Sequence, residues 1–397
     1  MACRTLIGAV AALLLAGAAG CGGRSASLAL TVSPRSATFD VPFTITVAGL
    51  KSRQKATITF AGSSSDGLKW QGHQTARANA RGVLSLPDDY LIARMHAQGV
   101  HGVTYDFPDR LKIRVSAAGA RATATADRHS FSPDSFSSSF EYPTGVGFYA
   151  AWDRPPGVRR HTAILLFGGS EGGLSNSALA DALVAHGYPV LQLAYFGEPG
   201  LPSTLTRIPL EYFEHALRWL ARRPQVDPKR IVTFGISRGG ELSLILAGTF
   251  PQLVHAAVGY VPYFVAVGSP SRRGQPAWTF HGKPVLGEII PVWKSSGPIF
   301  VAGGEADALW GSGAAVLEIA AEMRRHGRHD FTALDYPDAG HELGTVLPVQ
   351  VPLSPSNYGI VSSPYGPLDL GGAPRPDEQA REDAWPKLLR FLAKIGG

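Results

Sequence analysis

The largely apolar run Arg230-Ile231-Val232-Thr233-Phe234 reads as a buried strand. It leads into Gly235-Ile236-Ser237-Arg238-Gly239 and then into the helix-like stretch Glu241–Thr249. Strand, tight turn and helix in that succession leave few folds open. The glycines permit a turn sharp enough to expose the Ser237 hydroxyl, and the helix aims its N-terminus at any negative charge formed there. Downstream stand Asp307, in Gly303-Gly304-Glu305-Ala306-Asp307, and His341, in Tyr336-Pro337-Asp338-Ala339-Gly340-His341. Each follows a short apolar run. Serine, then aspartate, then histidine is an order that supplies a nucleophile, an orienting acid and a general base.

The surrounding pattern agrees with that turn. Thr162–Phe167, Pro189–Ala194, Arg230–Phe234, Ala256–Val261, Pro298–Ala302 and Thr332–Tyr336 read as strands. Between them lie helical stretches: Leu179–His186, and Pro209–Arg222 with Leu210, Phe213, Leu217 and Leu220 on one face. Alternating strands and helices predict an α/β fold with a doubly wound, mostly parallel sheet over residues 146–397. Residues 344–376 read as a long Pro/Gly-rich loop, and Glu378–Ile395 as a closing amphipathic helix. Residues 28–127 differ. Period-two alternation in Leu28–Val32, Phe43–Val47, Ala56–Phe60 and Leu111–Val115 predicts an immunoglobulin-like β-sandwich. Asp88-Asp89, His96 and His101 are expected at its surface or turns. Residues 128–145, with the Ser-rich His129–Ser139, form the expected linker.

The N-terminus points to export. Arg4 precedes the apolar stretch Leu6–Ala19, too short for a comfortable membrane span and suited to a signal peptide over residues 1–20. It ends in Ala18-Ala19-Gly20-Cys21, which resembles a bacterial lipobox with Ala18 where Leu is usual. The expectation is a lipidated Cys21, a tether over residues 21–27 and an exported lipoprotein anchored to a lipid bilayer. With only Cys3 and Cys21 in the chain, the folded part has no disulfide, no cysteine nucleophile and no cysteine-based zinc site. The 12 histidines form no His-Glu-x-x-His arrangement, so neither metal nor cofactor is implied. The formal charge of +6 is scattered without a basic run, which argues against a nucleic-acid partner.

Gly-x-Ser-x-Gly occurs twice, and Gly168-Gly169-Ser170-Glu171-Gly172 is the rival turn. Ser170 follows what reads as the first strand of the α/β region, whereas a nucleophile strand is central. Ser237 is therefore the expected nucleophile. The backbone N–H groups of Ser170 and Arg238 are the expected oxyanion donors. His341 is the expected base and Asp307 the expected acid, with Glu305 and Asp338 as rivals. Trp278 and Phe280 are candidates for lining an acyl pocket, with loop packing as the alternative.

These motifs resemble the acyl-CoA thioesterase / bile acid-CoA:amino acid N-acyltransferase family, within the α/β-hydrolases. The resemblance runs through Phe167-Gly168-Gly169-Ser170, Leu193-Ala194-Tyr195-Phe196, Ile208-Pro209-Leu210-Glu211-Tyr212-Phe213 and the Ser237 turn. It continues through Gly304–Trp310, Tyr336–His341 and Gly371-Gly372-Ala373-Pro374…Glu382-Asp383-Ala384-Trp385. It implies Ser237, Asp307 and His341 as catalytic residues and an acyl thioester or ester as substrate. Serine rather than cysteine as nucleophile implies hydrolysis over amide formation. The segment Glu342-Leu343-Gly344 departs from the family's Pro-rich continuation. A carboxylesterase on the same residues, or a binding lipoprotein without catalysis, are the other readings.

Overall fold

The structure, a computed structural model, describes residues 27–64, 67–88, 91, 94–98, 108–129, 131, 137–157, 159–348, 359–363 and 366–396. The expected signal peptide, Cys21, Asp89 and His101 lie outside these residues. In Thr44-Ile45-Thr46-Val47-Ala48, strand alternation turns Ile45 and Val47 fully inward while Thr44 stays exposed. Eight further strands share that first unit: β1 (Ala29–Ser33), β2 (Ser36–Thr38), then β3 (Thr44–Ala48) itself, β4 (Lys55–Ser63), β5 (Lys69–Arg77), β6 (Leu84–Pro87), β7 (His96–Ala97), β8 (Arg110–Ala117) and β9 (Ala120–His129). They form two sheets, β1-β3-β6 and β2-β9-β8-β4-β5-β7. Ile45, Val47 and Leu84 from one sheet and Ile58, Phe60, Ile113 and Val115 from the other close a single core.

The expected linker is partly strand. Arg128 and His129 end β9, where β2 pairs in parallel with them. Ser137–Glu141 is β10, the antiparallel edge of the next sheet, beside β11 (Tyr149–Arg154). A serine-rich edge strand takes its order from its neighbour rather than from its own propensity, so composition alone reads it as tether.

The remaining strands are β12 (His161–Phe167), β13 (Val190–Ala194), β14 (Ile208–Pro209), β15 (Val226–Ile236), β16 (Ala256–Tyr260), β17 (Trp278–Phe280), β18 (Lys283–Val285), β19 (Ile299–Gly304) and β20 (Phe331–Tyr336). The central sheet has the order β10-β11-β13-β12-β15-β16-β19-β20, and β14, β17 and β18 form a small separate sheet. From β13 to β20 every pairing is parallel. A parallel sheet must be covered on both faces, which explains why β12 is a continuous apolar run buried beyond its first residue. Helices α1 (Ser177–Ala185) and α5 (Pro374–Gly396) cover one face. Helices α2 (Leu210–Leu220), α3 (Arg238–Thr249) and α4 (Ser312–Arg325) cover the other. The fold is that of an α/β-hydrolase. Within residues 344–376, expected to be loop, a hairpin joins Ile360–Ser363 to Gly366–Asp369.

The sandwich leans on the α/β unit through two acids. Asp40 bonds His186 Nε2 at 2.8 Å and accepts the Trp385 Nε1–H at 3.3 Å. Asp88, expected at the surface or in a turn, is a turn residue but fully buried; its carboxyl group accepts the Phe43 N–H at 2.7 Å and hydrogen-bonds Glu382. Among the described residues no helix is long and apolar enough to cross a membrane.

Candidate active site

Strand β15 ends at Ile236 and α3 begins at Arg238, so Ser237 alone makes the turn, at φ +58° and ψ −119°. A side chain is held in so sparsely populated a conformation only when its surroundings over-determine it. Here the Ser237 N–H donates to Tyr260 O at 2.9 Å, and the Glu241 N–H donates back to Ser237 O at 3.1 Å. Glycine is required on both sides. A Cβ on Gly235 would stand 1.9 Å from Gly239 O, and one on Gly239 2.3 Å from Gly168 O.

Opposite the hydroxyl stands His341, the first residue of a 3-10 turn (His341–Thr345) five residues beyond the end of β20. Its Nε2 lies 3.0 Å from Ser237 Oγ and its Nδ1 2.8 Å from Asp307 Oδ2. Asp307 follows β19 and also accepts the Leu309 N–H at 2.9 Å through Oδ1. Burial works against its charged form. The hydrogen bond and charge of His341, with Ser312 and Leu309, outweigh that and hold the carboxyl below its ordinary value. With Nδ1 donating to a carboxylate, the Nε2 lone pair faces the serine hydroxyl. Ser237 and His341 each keep only 9% of their surface exposed and Asp307 6%, so all three groups are buried. The rivals stand apart: Glu305 is exposed and hydrogen-bonds Asp335, and Asp338 is exposed.

Ser170 lies across the site. The Gly168–Ser170 turn packs so closely on the serine that a Cβ on Gly169 would stand 3.0 Å from Ser237 Cβ. Two residues that the sequence reading left without a role set this turn. Glu171 Oε1 accepts the Gly169 N–H at 2.8 Å, and the Tyr195 hydroxyl reaches Gly168 O at 2.8 Å and Gly169 O at 2.7 Å. The one available signal was the place of Tyr195 in the motif Leu193-Ala194-Tyr195-Phe196. Among the described residues neither the Ser170 nor the Arg238 N–H donates a hydrogen bond inside the protein.

The Arg238 side chain turns inward. It pairs with Glu241 and donates to Val267 O at 3.0 Å and Gly268 O at 3.2 Å. Glu241 also accepts the Trp278 Nε1–H at 2.9 Å and the Val267 N–H at 3.2 Å. Burial pushes Glu241 up to about 7 against the opposing pull of Arg238 and these hydrogen bonds. Trp278 is therefore core, fully buried against Tyr195 and Phe213, and Phe280 packs edge-on to Phe250 at the far end of α3. The aromatic ring beside the histidine is Trp310, edge-on to His341 with centroids 5.4 Å apart and near-parallel to Tyr263. Among the described residues no group of His, Cys, Asp and Glu is arranged to hold a metal ion.

Residues 208–273 and 277–396 match the BAAT / acyl-CoA thioester hydrolase C-terminal family. Acyl-coenzyme A thioesterase 6 of Mus musculus is 28% identical, with 93% of this chain and 97% of that protein covered. Acyl-coenzyme A amino acid N-acyltransferase 1 of the same organism is 29% identical over 60% of this chain and 61% of its own. A solved thermophilic esterase from Thermogutta terrifontis aligns with a TM-score of 0.45 at 16% identity, covering 65% of this chain and 94% of that one.

Proposed function

We propose that this hydrolase-type enzyme, a relative of the acyl-CoA thioesterases and bile acid-CoA:amino acid N-acyltransferases, hydrolyses acyl thioesters through an acyl-enzyme on Ser237. The observation that carries the reading is the hydrogen-bonded line from Asp307 through His341 to the Ser237 hydroxyl. Ser237 Oγ attacks the thioester carbonyl carbon while His341 Nε2 takes its proton and Asp307 stabilises the resulting imidazolium. The Ser170 and Arg238 N–H groups receive the oxyanion, a role supported by the commitment of the Gly169 N–H to Glu171. Collapse of the tetrahedral species breaks the carbon–sulfur bond, and the imidazolium protonates the departing thiolate. Water, deprotonated by His341, then cleaves the acyl-serine to a carboxylic acid.

An acyl-serine is an oxygen ester, less reactive toward amines than an acyl-cysteine. The chain has no cysteine beyond Cys21 to take over the nucleophile's part. Free acid is thus the expected product even with an amino acid acceptor present. The deciding experiment compares acyl-CoA, simple thioesters and oxygen esters as substrates, with and without excess glycine or taurine. Faster turnover of oxygen esters makes the protein a carboxylesterase, amide as main product makes it an acyltransferase, and no turnover of any substrate makes it a binding protein. The same reading takes the chain as an exported lipoprotein held to a bilayer through Cys21.

A further inference from the structure

Helix α5 begins directly beneath the His341 turn. Backbone meets backbone there: a Cβ on Gly372 would stand 2.4 Å from Gly340 N, and one on Gly340 2.6 Å from Gly371 O. Three hydrogen bonds cross this contact. The Gly340 N–H donates to Asp377 Oδ1 at 2.5 Å, the His341 N–H to Leu370 O at 2.8 Å, and Arg381 Nη1 to Glu342 O at 3.0 Å. Asp377 is fully buried and Arg381 keeps 1% of its surface exposed, so neither side chain is there for solubility. Buried charges are costly unless fixed by partners. Arg381 is fixed by Glu378, itself fully buried one turn earlier on the helix.

We infer that Asp377 and Arg381 are positioning residues for His341, clamping the backbone of its two neighbours, Gly340 and Glu342, so that the ring faces Ser237 and Asp307 together. His341 has to satisfy two partners at once, and rotation of its backbone by a few degrees lengthens one of the two contacts. The middle of the same helix, one turn beyond Arg381, is tied to the sandwich through Trp385 and Asp40, so the clamp has a fixed base.

The inference rests on His341 being the base, and the test separates the two. Asp377→Ala, Asp377→Asn, Arg381→Lys and His341→Ala are compared with the parent in kcat, KM, the pH profile of kcat/KM and the rate at which a fluorophosphonate labels Ser237. Asp377→Ala should lose about 10²-fold in kcat and labelling rate with KM nearly unchanged, the scale of a misplaced catalytic group. Asp377→Asn keeps an acceptor oxygen and should recover most of the rate, and Arg381→Lys part of it. A lowered melting temperature with kcat and labelling rate unchanged would make both residues merely structural. Equal damage in Asp377→Asn and Asp377→Ala would also overturn the clamp. Activity surviving in His341→Ala would overturn the base assignment and this inference with it. An inactive His341→Ala beside a fully active Asp377→Ala would overturn this inference alone.

Discussion

Two serines stand in identical Gly-x-Ser-x-Gly frames, yet only Ser237 has its hydroxyl within 3.0 Å of an imidazole. Ser170 faces it from the neighbouring turn and offers a backbone N–H, which survives loss of the side chain. Ser237→Ala should therefore cost roughly 10⁴- to 10⁶-fold in kcat, while Ser170→Ala costs far less. A fluorophosphonate label mapped by mass spectrometry checks this, and a label on Ser170 would reverse the assignment. The sequence could single out Ser237, Asp307 and His341 as candidates because each follows a strand within a few residues. It could not name Glu171 as the acceptor of the Gly169 N–H, nor Asp377 and Arg381 as partners of the His341 turn. Those roles depend on which peptide group lies within reach, and no spacing rule reports that. Trp278 shows the reverse case: its place between two site strands left pocket wall and loop packing open, and its full burial with the indole N–H on Glu241 is packing.

At the scale of elements, the turn between β15 and α3 and the turn after β12 work as one unit. Gly239 lets them touch: its missing Cβ would stand 2.3 Å from Gly168 O and 2.7 Å from Phe167 O, both rigid backbone. Gly239→Ala should push α3 off the turn, destabilising the fold by about 1–3 kcal/mol as overpacking does. It should also slow acylation, because the two expected oxyanion donors sit on opposite sides of that contact. Denaturant unfolding beside kcat measures both, and a variant unchanged in each would show that the contact yields. The strong period-two and period-3.6 patterns made most of these elements legible. Helix α2 buries the face, Leu210, Phe213, Leu217 and Leu220, that its spacing predicted. Strand β10 was not legible, since Ser137-Ser138-Ser139 is ordered by pairing with β11.

Across the whole molecule, the joint between the two units carries buried charge. Burial drives the Asp88 carboxyl up to about 6, with repulsion from Glu378 in the same direction and hydrogen bonds from Glu382 and the Phe43 N–H opposing it. A carboxyl raised on folding stabilises fully below its ordinary value of 3.8, and that contribution fades as pH rises through about 6. Asp88→Asn, neutral at every pH, should flatten this part of the stability profile and leave the variant less sensitive between about pH 4 and pH 7. Denaturant unfolding at both pH values tests it, and an unchanged difference would assign the pH dependence to other groups. At the chain's other extreme, mass spectrometry of the mature protein should find a lipid on an N-terminal Cys21. An unmodified start elsewhere would sink the anchor while leaving export standing. By itself the sequence determined the α/β class, the strand that leads into Ser237 and the order Ser237, Asp307, His341, because these are local: a periodicity, a turn, a residue soon after a strand's end. Only the tertiary structure decided which N–H groups remain unspent at the site, what steadies His341 and that Asp88 is buried. Each of those depends on groups far apart in the chain meeting in space, and hydrogen-bond satisfaction and desolvation act on that meeting rather than on sequence.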